Sequence, residues 1–189
     1  MMKRLLLVMC GWLGGISLLN AQRLFPGQQG LEASINLLPT SLTLNTKAYD
    51  IRLGYIRYTR EGDYWQFAVA YTRNVYTYRE QDLPIETFTS EGGYSLNLVG
   101  NSSRNISLNV GLSGVVGYEL INQGNHTLFD GAVINNKDAM IYGGLARLRL
   151  ERYLVGDVLV FLQGQTQMLW GTQREQLRPH IGLGFRMTL

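Results

Sequence analysis

Pro179-His180-Ile181-Gly182-Leu183-Gly184-Phe185-Arg186-Met187-Thr188-Leu189 closes the sequence. Apolar residues hold every odd position from Ile181 to Leu189. His180, Gly182, Gly184, Arg186 and Thr188 hold the even ones. A period of two over this length predicts a strand with one apolar face and one polar or open face. Leu189, the last residue, falls on the apolar face. Such a strand suits a barrel or a soluble sandwich, and the rest of the chain decides between them.

Seven similar segments precede it, each bounded by turn residues. Gly171 to Arg178 reads as a loop. Before it, Val158, Val160, Leu162, Met168 and Trp170 oppose Gln163, Gln165 and Gln167. A turn around Gly156 separates that segment from Met140–Glu151, where Tyr142, Ala146, Leu148 and Leu150 oppose Arg147, Arg149 and Glu151. The fifth segment sets Ile106, Leu108, Val110, Leu112, Val116 and Tyr118 against Ser107, Asn109, Gly111, Ser113 and Gly117. The fourth follows Pro84, with Phe88, Tyr94, Leu96 and Leu98 on one face. The third starts at Trp65, and Tyr76 and Tyr78 fall off its parity, which predicts a bulge near Asn74. The second runs from Tyr49 to Thr59. The first runs from Leu31 to Leu38 and ends at Pro39.

Two features choose the environment. Connections after the second, fourth and sixth segments are short, whereas the others are longer. The longest is Glu119 to Asp138. That order predicts short periplasmic turns and long outer loops. The polar faces are mostly Ser, Asn, Gln, Gly and Thr. Only 16% of the chain is charged, below the roughly 25–35% typical of a water-facing surface. Such faces suit a lumen, and the apolar faces then meet lipid. The expected fold is therefore all-β: an eight-stranded antiparallel up-and-down barrel of outer-membrane type, with Val110, Leu112, Leu148, Leu162 and Phe185 facing outward. Aromatic residues are expected in two interfacial belts: Tyr49, Phe88, Tyr118, Tyr142 and Trp170 outside, and Tyr58, Tyr64, Trp65 and Tyr153 inside. The alternative is an exported, soluble, lipocalin-like binding barrel whose apolar face lines a cavity.

The first residues read as an export signal. Lys3 and Arg4 precede the apolar run Leu5 to Leu19, which is shorter than the ~20 residues of a transmembrane helix. Cleavage is expected between Ala21 and Gln22. This divides the chain into a helical signal peptide, residues 1–21, and a transmembrane β-barrel domain, residues 22–189. Cys10 is the only cysteine, so the mature chain has no thiol. Without Lys3 and Arg4 the net charge falls from +3 to +1, which implies no basic patch and no direct contact with nucleic acid.

The search for chemistry finds little. His126 and His180 lie on different elements, so no metal site is expected, and no Gly-rich loop leads into a helix to hold a cofactor. A lipid-modifying barrel enzyme would need a nucleophile beside a base near the outer rim. His126 with Thr127 is the one weak candidate, and the expectation is a protein that is not an enzyme. Glu32, Arg52, Glu91, Arg147, Arg149, Glu151 and Arg186 all point inward by parity. In a narrow barrel such charges must pair, so a plugging network is expected. The long loop holds an apolar knot: Leu128-Phe129, then Asp130-Gly131, then Val133-Ile134. Asp-Gly between apolar pairs signals a hairpin. His126, Leu128, Phe129 and Asp130 are thus the candidate partner-binding residues.

Gln22-Arg23-Leu24, Leu83-Pro84-Ile85-Glu86-Thr87, Glu91-Gly92-Gly93-Tyr94-Ser95, Gly117-Tyr118-Glu119, Phe129-Asp130-Gly131, Ile141-Tyr142-Gly143 and Leu169-Trp170-Gly171-Thr172 together resemble the TraO family of conjugative-transposon proteins of Bacteroides-type bacteria. The similarity runs from the signal to the C-terminus, and its motifs are diffuse and not catalytic. The resemblance implies a part in conjugal DNA transfer, within the envelope portion of the mating apparatus. It implies outer-membrane lipid and other apparatus proteins as partners.

Overall fold

The computed structural model describes residues 26–40, 43–59, 62–78, 81–100, 106–121, 138–155, 157–172 and 174–189. Eight strands follow one another: β1 (Gln29–Thr40), β2 (Thr43–Tyr58), β3 (Tyr64–Tyr78), β4 (Gln81–Gly100), β5 (Ile106–Ile121), β6 (Ala139–Val155), β7 (Val158–Trp170) and β8 (Leu177–Thr188). Each pairs antiparallel with its sequence neighbours, and β8 closes on β1 from Gly30–Thr188 to Leu37–Ile181. The sheet is thus an up-and-down barrel with no free lateral edge. Following register partners once around it returns to β1 about ten residues further out, the stagger that tilts strands by roughly 40°.

Parity decides what each face meets. Leu112, Leu148, Leu162 and Phe185 are all exposed on the outside. Val110, half-buried, shares their face between Leu96 and Leu148. On β5 the outward positions from Ile106 to Tyr118 span about 30 Å along the barrel axis. That covers the roughly 25 Å apolar band of an outer-membrane barrel. The inward positions are buried: most are polar or charged, including Arg52, Arg149 and Arg186 at 1% exposure or less, and an apolar cluster of Val115, Ile141, Leu145 and Leu169 joins them. The apolar face does not line a cavity, so the lipocalin-like alternative falls. Among the described residues no helix is long and apolar enough to cross a membrane, and the strands do the crossing.

The girdle predicts a cost for charge. Leu112 is 69% exposed near mid-height. Leu112→Arg should destabilise the inserted barrel by about 2–4 kcal/mol, read as a lower urea midpoint in lipid vesicles. Leu112→Ala should cost much less.

Three expectations need correction. First, strands run further outward than their apolar parity. β1 passes through Pro39 to Thr40, and β3 and β4 extend to Tyr78 and Gln81. The β1–β2 and β3–β4 connections are therefore tight, although they lie on the outer side. Above the membrane a strand no longer needs an apolar face, so alternation fades before pairing ends. Pro39 is tolerated because the β1–β2 register shifts there, between Leu37 and Pro39. Second, β3 pairs with β4 without a break from Tyr64 to Tyr78, so there is no bulge at Asn74. Third, Tyr58 and Tyr64 are not in a belt. They are 3% and 0% exposed and form an edge-on pair inside the barrel, with rings 5.5 Å apart. Their parity already opposed that of Tyr55 and Trp65. Tyr153 is half-buried. The inner outward-facing pair is Trp65 with Tyr94, 5.0 Å apart. Around the outer rim, Tyr49–Tyr71–Phe88 and Tyr142–Trp170 form runs of tilted ring contacts, with Tyr118 paired to Phe88 across the strands.

Residues 1–25, including Ala21 and Gln22, lie outside the described residues, as do residues 122–137 with His126, Leu128, Phe129 and Asp130.

Candidate functional site: a charge-filled lumen

The lumen is built from inward positions of all eight strands, and its charges occur in layers. Nearest the inner end, Arg186 on β8 bonds Glu151 on β6 and Glu32 on β1, each at 3.0 Å. It also donates to the Tyr58 hydroxyl at 2.7 Å and lies 4.4 Å from the Tyr64 ring centre. Tyr64 donates to Glu151 at 2.8 Å. One step outward, Arg149 meets Glu32 at 2.9 Å and stacks 4.1 Å over Phe161. Its guanidinium also donates to the Gln163 carbonyl at 2.8 Å. Gln66 donates to Glu32 and accepts from Arg147.

Above this, Arg147 bonds Glu91 at 2.6 Å, and Arg52 bonds the same carboxylate. Arg52 also approaches Asp50 at 3.5 Å. Asp50 accepts from Thr72 at 2.8 Å and from Asn36 at 2.5 Å. The seven inward charges read from the sequence thus lie in one connected set. Arg147, Arg149 and Arg186 find their carboxylates on β1, β4 and β6.

Pairing is what makes this burial tolerable. An isolated ionised group inside a protein is held at a cost of several kcal/mol, recovered only through opposite charge and full hydrogen bonding. Here each acid serves two arginines or an arginine and neutral donors. The planar guanidinium forks, stacked on Phe161 and Tyr64, fill the bore as well as neutralise it. Together with buried Leu159 and Phe161, they leave the inner half of the barrel packed. An eight-stranded barrel is just wide enough for side chains to fill.

Sequence reasoning missed Asp50, Gln66, Gln163, Gln165, Tyr58, Tyr64 and Glu119 as members. Parity would have found the first six. Glu119 reads as the start of a loop, yet it ends β5, is 1% exposed, and accepts from Arg178 at 3.0 Å and Thr172 at 2.8 Å. That second cluster forms the outer mouth. Among the described residues no group of acids, histidines or cysteines could hold a metal ion. His180 sits on the barrel's inward face, 3% exposed, with Gln165 as its partner at 3.4 Å.

The architecture is shared with outer-membrane barrels of known structure. Ail, the attachment invasion locus protein of Yersinia pestis, superposes with a TM-score of 0.57 at 10% identity, covering 87% of this chain and all of Ail. Neisserial surface protein A superposes with a TM-score of 0.50 at 14% identity, covering 87% of this chain and 98% of that protein. At such identities the likeness concerns the fold alone. No curated protein matches the sequence. The family model for conjugative transposon protein TraO, however, matches residues 25–189, which takes in every strand and the whole lumen network. The chain belongs to the TraO family of conjugative transposon proteins.

Proposed function

We propose that this protein is a non-enzymatic, non-conducting component of the mating apparatus, seated in the outer membrane and working through its surfaces. The packed, ion-paired lumen supports this reading above all. A bore closed by Arg186, Arg149, Arg147 and Arg52 with their carboxylates offers no route for DNA or for a protein substrate. Outer-membrane lipid contacts the girdle, and other apparatus proteins are the working partners. No direct contact with nucleic acid is needed.

The surroundings of His180 support the non-enzymatic part of this reading. Its Nδ1 faces an amide and its Nε2 has no hydrogen-bond partner, so no hydroxyl is paired to it as a nucleophile would be. The partner contact is assigned to the connection between β5 and β6, through Leu128, Phe129 and Asp130 beside His126. A connection of this length exceeds what a hairpin needs, and its apolar knot stands in a polar setting.

Replacement of residues 125–135 by a short Gly-Ser linker tests the assignment. The variant should still insert, as judged by membrane fractionation, while conjugal transfer drops by at least about tenfold, the effect of losing one anchor worth 1.4 kcal/mol or more. Normal insertion with unchanged transfer would remove the loop as the working surface.

A further inference from the structure

We infer that a groove on the lipid-facing side of the closing seam holds one acyl chain of a phospholipid, with Arg152 receiving the phosphate at the groove's inner end. This rests on the membrane seat described above and adds a particular lipid at a particular place.

The groove has a volume of about 420 Å³ and is walled by Ala33, Ile35, Ile51, Val160, Leu183 and Phe185. Small-ligand sites span roughly 300–1,000 Å³. Strand register builds it. Val160 on β7, Phe185 on β8 and Ala33 on β1 form one row of partners across the strands. Leu183 on β8, Ile35 on β1 and Ile51 on β2 form the next row outward. On β1 the outward-facing neighbours of Ala33 are Leu31 and Ile35, 55% and 57% exposed. Ala33 between them carries a single methyl group, so the surface dips there.

The first row also reaches a cation. Arg152 on β6 is the register partner of Val160, one strand spacing or about 4.8 Å from the end of the groove. It has the outward parity of Leu148 and Leu150, which are both exposed. The stagger carries each row outward from β6 to β1. Arg152 therefore lies at the inner edge of the apolar band, and Ala33 lies deeper within it. A head group belongs at that edge, and its chain then follows the groove. Five N–H donors let one guanidinium serve a protein neighbour and a phosphate together.

Charge decides the occupant. A groove within the girdle is filled by hydrocarbon or by another apolar protein face. Hydrocarbon gains little by leaving hydrocarbon, so a bound lipid is selected by close packing and by its head group. The arginine offers nothing to the apolar girdle of a second barrel. It suits a chain that ends in a phosphate.

The experiment uses the full barrel, folded in nonionic detergent and analysed by native mass spectrometry. Dioleoyl-phosphatidylglycerol is titrated beside dioleoylglycerol, which has the same chains without the phosphate. The phospholipid should bind saturably as one adduct, at least about tenfold tighter than dioleoylglycerol. Ala33→Leu, which fills the groove, should weaken phospholipid binding by about tenfold or more. Arg152→Gln should reduce it to the affinity of dioleoylglycerol, whose own binding stays unchanged. Both variants should keep the heat-modifiable gel shift of the folded barrel, since neither position faces the lumen. The proposal is overturned by the lack of a saturable adduct, by equal affinity for the two lipids, or by undiminished phospholipid binding in either variant. A protein dimer that Ala33→Leu dissolves would also overturn it, with a second copy as the occupant. Insertion of the wild type into vesicles is scored separately. Normal insertion beside any of these results fails the lipid site and not the membrane seat.

Discussion

Glu32→Ala should lower the stability of the folded barrel by about 3–5 kcal/mol, the loss expected when one partner is removed from a buried ion pair. Glu32 is 5% exposed and accepts from Arg149 at 2.9 Å, from Arg186 at 3.0 Å and from Gln66. Its removal leaves two guanidinium groups at the same level with one remaining acid, Glu151, which lies 3.8 Å from Arg149. Most of the loss comes from that uncompensated charge. Glu32→Ala combined with Arg149→Met should therefore recover a large part of it, because the charge balance returns and Met can still cover Phe161. The measurement is the urea midpoint in vesicles for the single and double variants. A single variant within about 1 kcal/mol of wild type would mean that water enters the lumen freely, and the packed-bore account would fail.

Gly184→Val should prevent β8 from closing the barrel. Gly184 faces inward between Ser34 on β1 and Phe161 on β7. A Cβ at this position would overlap the Phe161 ring and come within 2.6 Å of the Ala33 carbonyl oxygen. Phe161 has nowhere to retreat, since Arg149 stacks on it and it is 2% exposed. Overpacking of an ordinary core costs about 1–3 kcal/mol. Here the clash falls on the last seam, where both ring and backbone must yield, so loss of the folded species is expected. Phe161→Ala in the Gly184→Val background should restore part of it. Folding is read by the heat-modifiable gel shift of the intact barrel. A folded Gly184→Val protein with wild-type stability would show that the ring is not wedged against the glycine.

These two residues also show what was legible in the sequence. The alternation of Ile181, Leu183, Phe185, Met187 and Leu189 against Gly182, Gly184 and Arg186 is a local property, and it located both faces of β8 without any partner strand. The same parity placed Arg147, Arg149 and Glu32 inside. What it did not reveal was which charges meet. Arg149 and Glu32 are separated by more than a hundred positions, and their contact depends on closure and stagger. Strand ends were misjudged at Pro39 and Pro84 because pairing outlasts the membrane that imposes alternation. Tyr58 and Tyr64 were misassigned because their residue type suggested an interface while their parity pointed to the lumen. Glu119 was hidden for a similar reason: its neighbours are polar, yet its backbone is still paired to Thr87.

Single-channel recording of the reconstituted wild-type protein in planar bilayers tests the closed-lumen claim most directly. The layers from Arg186 to Arg52 predict a barrel that inserts without producing any steady conductance step. A reproducible open level, present in wild type and altered by Arg52→Ala or Arg147→Ala, would contradict the account and make the lumen a path.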